Sequence, residues 1–296
     1  MSKEMQARLQ RSLAVLVVMT FVLVGCSRGG GETKAPGQAE GKKNTLDKIL
    51  ETKKVKIGIM PTIPPYDYLD NNKQPAGYDV RVAKEVGKAL GAEVELVQLV
   101  SQNRIPALQT GDVDLGVFLM GCYPERAKLV TYTTHPYMIQ TVVMLGKKSL
   151  KAKGWDDLHK VKIGVVKGSG GLVMVEERAP KDAVKNTFDD DILQMNALLA
   201  GQVDIIHADG MLAAQMMKQH PEAKLEVKWA LGVETEHLMV RKEDSALKEW
   251  LDVFLLSNYT NGHLGQWWDE NIKEMPLGDL PTMTTPLVPN GGSVPR

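Results

Sequence analysis

The residues able to do chemistry in this 296-residue chain are sparse and scattered. Six histidines, at positions 135, 159, 207, 220, 237 and 263, show none of the short spacings that set two imidazoles on one metal ion. Ser169 lies between Gly168 and Gly170 but lacks the GxSxG frame that presents a nucleophilic serine on a strand-to-helix turn. Neither a phosphate-cradling P-loop nor a GxGxxG fingerprint occurs. The run Asp189-Asp190-Asp191 fits the start of a helix over 191–200, where the N-terminal dipole favours negative charge. The two cysteines, Cys26 and Cys122, make no CxxC pair and no disulfide framework. The sequence therefore predicts a protein that binds rather than transforms, without metal or cofactor.

Cys26 is the one thiol whose chemistry is readable from its surroundings. Lys3, Arg8 and Arg11 precede an apolar run, Leu13 to Val24, broken only by Thr20. That run is shorter than the roughly 20 residues a helix needs to cross a bilayer core, and it fits the h-region of a signal peptide. It ends in Leu23-Val24-Gly25-Cys26, which resembles the lipobox of bacterial lipoproteins. The resemblance implies cleavage before Cys26 and a diacylglyceryl thioether. A further N-acyl chain such as palmitate would complete the anchor, since one chain alone holds a protein only marginally. Residues 1–25 are thus read as a signal peptide. Residues 26–44, with Gly29 to Gly31 and almost nothing apolar, are read as a lipidated flexible tether. The expected location is the cell envelope, facing the periplasm or the extracellular side. Basic and acidic residues balance at 36 each, and the chain after residue 25 carries a net charge near −2, which gives no reason to expect a nucleic-acid partner.

Positioning of any site falls to the body between Thr45 and about Leu277. A weak internal repeat organises it. Val55-Lys56-Ile57-Gly58 returns as Val161-Lys162-Ile163-Gly164, and Ala107-Leu108-Gln109-Thr110-Gly111-Asp112-Val113-Asp114 is echoed by Ala197-Leu198-Leu199-Ala200-Gly201-Gln202-Val203-Asp204. The first pattern reads as a short strand, the second as a helix end, a glycine cap and a strand. Strands are expected at 55–60, 94–100, 113–118, 141–145, 161–166, 184–188, 203–207 and 237–240. Helices are expected at 78–90, 104–110, 190–200, 210–219, 245–257 and 264–272, with another starting near Gly170. Alternation of this kind predicts an α/β fold of two lobes with mainly parallel sheets flanked by helices, and ligand capture in the cleft between them. Residues 276–296, with Pro276, Pro281, Pro286, Pro289 and Pro295, are read as a proline-rich tail that cannot continue a helix.

Three motifs then stand in order: Gly77-Tyr78-Asp79-Val80, Arg104-Ile105-Pro106-Ala107-Leu108-Gln109, and Pro124-Glu125-Arg126-Ala127-Lys128 followed by Thr131-Tyr132-Thr133. Over Leu46 to Ile272 the chain resembles family 3 of the bacterial extracellular solute-binding proteins, which serve amino-acid ABC transporters. The resemblance implies the type 2 periplasmic-binding-protein plan, with a second lobe (144–236) inserted into a first (45–143 and 237–275). Two strands crossing near 141–148 and 231–238 would act as the hinge. It also implies a small-molecule ligand, an amino acid or related carboxylate, a monomeric binding protein and an ABC permease as partner.

Residue by residue, the resemblance makes Arg126 the grip on the ligand carboxylate, a role its bidentate fork suits, although a salt bridge to Glu125 also fits. Asp209 corresponds to the acceptor of the ligand ammonium and fits an N-cap of helix 210–219 equally well. Gly168, Ser169 and Gly170 correspond to a helix N-terminus that meets a carboxylate with backbone N–H groups. Elsewhere the chain departs from the family. Ile63 stands in the usual stacking-aromatic position, with Tyr66 beyond it, and Ser101 stands at a second clamp position. Leu119 and Gly121 replace a hydroxyl pair, and Gly170 replaces a threonine. These departures predict a bare, apolar first-lobe wall with Met120, Cys122 and Tyr123 nearby, suited to an aliphatic or bulky ligand. Two other readings remain: a secreted cyclohexadienyl dehydratase-like enzyme using Asp209 or His207 as general acid, and a ligand-binding subunit for a separate sensor.

Overall fold

The computed structural model describes residues 44–272. The expected signal peptide, Cys26 and the proline-rich tail lie outside those residues. Asn44 caps helix α1 (Thr45–Thr52) by accepting the Asp47 N–H at 2.9 Å, which pairs one of the N–H groups a helix start leaves open. Strand β1 (Lys54–Ile59) follows, then a small antiparallel ribbon of β2 (Thr62–Ile63), β3 (Asp67–Leu69) and β4 (Pro75–Ala76). Helix α2 (Tyr78–Leu90) buries Tyr78, Val82, Val86 and Leu90 along one stripe, the spacing that seats an amphipathic helix on a core.

Two five-stranded sheets share one plan. The first runs β5 (Glu93–Gln98), β1, β6 (Leu115–Gly116), β13 (Met239–Arg241), β7 (Val130–Tyr132). The second runs β10 (Val184–Phe188), β9 (Lys162–Val166), β11 (Ile205–Asp209), β8 (Met138–Lys147), β12 (Leu225–Glu236). In each, three strands pair in parallel and the remaining two join antiparallel on one side. Helices α3 (Arg104–Thr110), α4 (Pro124–Ala127), α5 (Gly170–Arg178), α6 (Asp191–Leu199), α7 (Gly210–Gln219), α8 (Ser245–Thr260) and α9 (His263–Asn271) complete the described fold. The strand expected at 113–118 shrinks to two residues. The ribbon β2–β4 was not expected, and β12 begins at Leu225, ahead of the crossing strand expected near 231–238. Much of β12 is only half-buried, so its sequence lacks a sustained apolar face, and its pairing with β8 shifts register at Val227/Trp229 and again at Ala230/Gly232.

The internal repeat is a repeat of hydrogen bonds. Asp114 accepts the Lys56 N–H at 3.0 Å and returns its own N–H to the Lys56 carbonyl at 2.8 Å. Asp204 does the same to Lys162, at 2.9 and 2.8 Å. Ahead of each, Gly111 (φ 81°) and Gly201 (φ 73°) make the left-handed turn out of the helix, a conformation that favours glycine. The Gly-x-Val-Asp pattern thus ties a helix end to the strand next to the edge in each sheet, β1 in one and β9 in the other.

The chain crosses between the sheets twice, and the crossings pair with each other. The Thr133 N–H donates to the Leu238 carbonyl at 2.9 Å, and the Tyr137 N–H to the Glu236 carbonyl at 2.8 Å. Residues 141–148, where the sequence places one crossing, lie mostly within β8, whose residues 138–146 are all buried. A strand covered on both faces belongs inside a sheet rather than in a hinge.

The two repeat aspartates differ in burial, and their substitutions should differ accordingly. Asp114 is 2% exposed and has Lys48 at 3.4 Å and Arg241 at 3.8 Å; Asp204 is half-buried. Asp114→Ala is expected to cost about 2–3 kcal/mol and Asp204→Ala about 1 kcal/mol. Urea unfolding of both variants checks this, and equal losses would show that burial is not what strengthens the first copy.

Candidate functional site

A cavity of about 60 Å³ lies where the two sheets face each other. Arg104, the first residue of α3, forms its floor on the side of the first sheet. The side chain is 2% exposed and every N–H of its fork is spent. Nε donates to the Ser101 carbonyl (2.9 Å), Nη1 to the Phe118 and Leu119 carbonyls (2.9 and 3.0 Å), and Nη2 to Ser101 Oγ (2.5 Å) and the Gly168 carbonyl (3.2 Å). Burial, and then the neighbouring Arg126 charge, pull its pKa down to about 10, so it stays cationic at neutral pH.

Arg126, on the short helix α4, is half-buried and reaches the same carbonyl. Its Nη2 donates to Gly168 O at 2.9 Å and its Nη1 to Gly121 O at 3.3 Å, while the guanidinium lies 4.8 Å over the Tyr123 ring. The Tyr123 hydroxyl donates to Glu234 Oε1 at 2.5 Å. A Cβ on Gly170 would stand 2.3 Å from that hydroxyl oxygen. Tyrosine 123 therefore fills the space that a side chain at 170 would need, which explains a glycine where the resemblance leads one to expect threonine.

The second sheet supplies the opposite wall. Asp209 ends β11 and caps α7, accepting the Leu212 N–H at 3.0 Å through Oδ1 and the Tyr66 hydroxyl at 3.3 Å through Oδ2. Cap and cavity residue are one and the same. Ser169 caps α5: its hydroxyl accepts the Leu172 N–H at 3.2 Å and donates to Val166 O at 2.7 Å. Gly168 (φ 73°) turns its carbonyl toward both arginines. Asp191, at the start of α6, and Gln194 one turn later also line the cavity, as do His207, Gln140 and Glu234.

Of the residues singled out in the sequence, Arg126, Asp209, Ser169, Gly170, Ile63 and Gly121 line this cavity. Tyr66 supports Asp209 from behind. Met120 is 2% exposed within the core of the first sheet and does not line it. Gly168 takes part through its carbonyl rather than as an N–H donor. The expected bare, apolar first-lobe wall is wrong. Arg104, Ser101 and Arg126 make it polar, and Gln140 and Glu234 add polar groups from β8 and β12 of the second sheet. The sequence reads Arg104 itself as a helix start and as the first residue of the second motif, with no role in the site. The one signal that could have exposed it is a charged residue at a position whose helical neighbours Ala107 and Leu108 face the core.

Residues 55–273 match the model of the bacterial extracellular solute-binding proteins, family 3. The ABC transporter glutamine-binding protein of Bacillus subtilis is 28% identical over 271 residues, covering 90% of this chain and 97% of that protein. A solute receptor for L-cysteine from Neisseria gonorrhoeae has a similar structure, with TM-score 0.73 at 25% identity over 78% of this chain and 94% of that one. An ancestral amino-acid-binding protein described as a precursor of cyclohexadienyl dehydratase is also similar, with TM-score 0.70 and 28% identity over 78% of this chain and all of that one.

Carboxyl groups crowd the cavity and the core beneath it. Burial, reinforced by Glu234, raises Glu236 to about 8 even though Gln140 Nε2 donates to it at 2.7 Å. Burial likewise raises Asp191 and Asp209 to about 7 and Asp67 to about 8. Carboxyls raised on folding are protonated in the native state at a pH where the unfolded chain has already lost its protons. Their contribution to stability is complete below about pH 4 and is lost as pH rises through 7 to 8. Thermal melts of the ligand-free protein should therefore show Tm falling as pH is raised from 5 to 8. Asp209→Asn, which keeps a capping side chain, should flatten that fall; a Tm that rises over the same range would show these groups to be ionised in the native state.

Proposed function

Because this chain belongs to the bacterial extracellular solute-binding proteins of family 3, we propose that it captures an amino acid or related small carboxylate between its two sheets and delivers it to an ABC permease. The observation that carries this reading is the convergence of Arg126 and Arg104 on the Gly168 carbonyl, opposite the carboxylate of Asp209. A ligand carboxylate would take the place of that carbonyl on Arg126, whose guanidinium retains uncommitted N–H groups, and the first N–H groups of α5 would meet it from the other side. The ligand ammonium would be received by Asp209, ionised once a cation arrives beside it. Ile63 and Gly121 would close over the ligand. Bending at the paired crossings, Thr133–Tyr137 against Glu236–Leu238, would open the sheets for entry, and ligand contacts made only in the closed state would hold them shut.

The same reading places the protein outside the cytoplasm as a lipid-anchored monomer, cut before Cys26 and joined to its anchor by the 26–44 tether. Transport-type binding proteins among its relatives support binding over catalysis. The dehydratase alternative is tested by incubating the pure protein with prephenate or arogenate, and no turnover is expected.

A thermal-shift screen across amino acids and small carboxylates tests the central claim. A ligand at a hundred times its Kd stabilises by about 2.7 kcal/mol, a rise of roughly 5–10 °C in Tm for a domain of this size. Arg126→Ala is expected to weaken the best ligand by about 30-fold or more, in line with the loss of one desolvated charge-assisted contact. Unchanged affinity in that variant would remove Arg126 from the role of carboxylate anchor.

A further inference from the structure

Several of the hydrogen-bonding groups left open in the cavity are acceptors, carboxylates among them. Arg104 has no N–H to offer, and the Ser169 hydroxyl is committed to Val166 O. Gln194 spends its amide N–H groups on the Gly164 and His207 carbonyls, at 2.8 and 3.0 Å. Gln140 directs its amide nitrogen to Glu236. The side-chain donors that remain are those of Arg126, the second amide N–H of Gln140, and His207 Nε2, which is buried without a partner among the described residues and donates in one tautomer. Against them stand the Asp191 carboxylate, met only by its own backbone N–H, and Gln194 Oε1, one turn further along the same face of α6. Gln140 Oε1 and Glu236 Oε2 are buried without a hydrogen-bond partner among the described residues. A buried acceptor shut away from water and left unpaired is costly. Three carboxylates, those of Asp191, Asp209 and Glu234, line the cavity against two guanidiniums, those of Arg104 and Arg126.

We propose, building on the carboxylate-anchor reading above, that the ligand carries a second cationic nitrogen received by Asp191 and Gln194 Oε1. That makes it a diamino or guanidino acid, not the aliphatic one suggested by the sequence. Its carboxylate lies on Arg126 and its α-ammonium on Asp209. Its methylene stem has the apolar lining of Met60, Ile63, Val142 and Val166 to run along. The charge count then closes, because such a ligand adds one net positive charge to a cavity that holds an excess of carboxylates. Burial raises the Asp191 and Glu236 carboxyls, with Asp190 adding to the first and Glu234 to the second, and the Arg104 charge only partly opposes the rise.

Isothermal titration of the purified protein against isosteric pairs, lysine with norleucine, arginine with citrulline and glutamate with glutamine, tests the inference at neutral pH. The dibasic member of a pair should bind at least about tenfold more tightly than its neutral isostere, the value of one charge-assisted contact. Asp191→Asn should bring that ratio to within about threefold, while Asp191→Glu should keep the preference. If a neutral isostere or glutamate binds as tightly as the dibasic ligands, or if Asp191→Asn leaves the ratio untouched, the inference is overturned while the amino-acid-binding reading stands. If no amino acid of any charge binds, that reading falls and this inference with it.

Discussion

A guanidinium buried without a carboxylate partner is the constraint around which the cavity is built. Arg104 keeps its charge in a site that water barely reaches, and five neutral oxygens on three segments compensate it. Removing such a charge from water is expensive unless every N–H is met. The carbonyls of Ser101, Phe118 and Leu119 are therefore held to fixed positions, and Leu119 accepts a φ of 46° in the process. The fifth oxygen, Gly168 O, belongs to the other side of the cavity. The side chain that shapes one wall thus also fastens it to the opposite one.

Acidic groups answer this fixed cation without pairing with it directly. Asp191 and Glu236 feel the Arg104 charge, which opposes the rise that burial imposes on them. Asp67 and Asp79 are each wholly buried, which raises the proton affinity of both, and the Asp67 charge raises that of Asp79 further, while Tyr137 donates to Asp79 at 3.1 Å. A polar interior of this kind is tolerable because protons, tyrosine hydroxyls and backbone N–H groups share the burden. It also leaves the closed cavity electrostatically poised for a donor-rich guest.

The fold was far more legible in the sequence than the site. The Val-Lys-Ile-Gly and Gly-x-Val-Asp echoes could be read because the same backbone exchange, Asp114 with Lys56 and Asp204 with Lys162, needs the same residues wherever it recurs. Helix α7 and strand β10 fall where periodicity puts them. The site resisted the same treatment because its logic is compensation across the cavity. Gly170 and Gly121 look like losses until Tyr123 and Glu234 are seen filling the space beside them. The role of Arg104 is hard to read because, apart from Ser101, its partners at 118, 119 and 168 are distant backbone atoms with no side-chain signature. Met120 was misplaced for a related reason: the chain around Leu119 turns in a left-handed conformation, so proximity in sequence to Gly121 does not carry Met120 to the cavity.

Strand β12 has a bearing on the life of the molecule among its own copies. It lies at the margin of the second sheet and runs for twelve residues, paired along one side to β8. An open margin of that length is a template on which another chain could add a strand and begin a polymer. The register shifts at Val227/Trp229 and Ala230/Gly232 interrupt that template twice, because each extra residue bends the strand and puts its outward N–H and C=O groups out of step. Irregularity at this margin makes it a poor template for a strand added from a neighbouring copy.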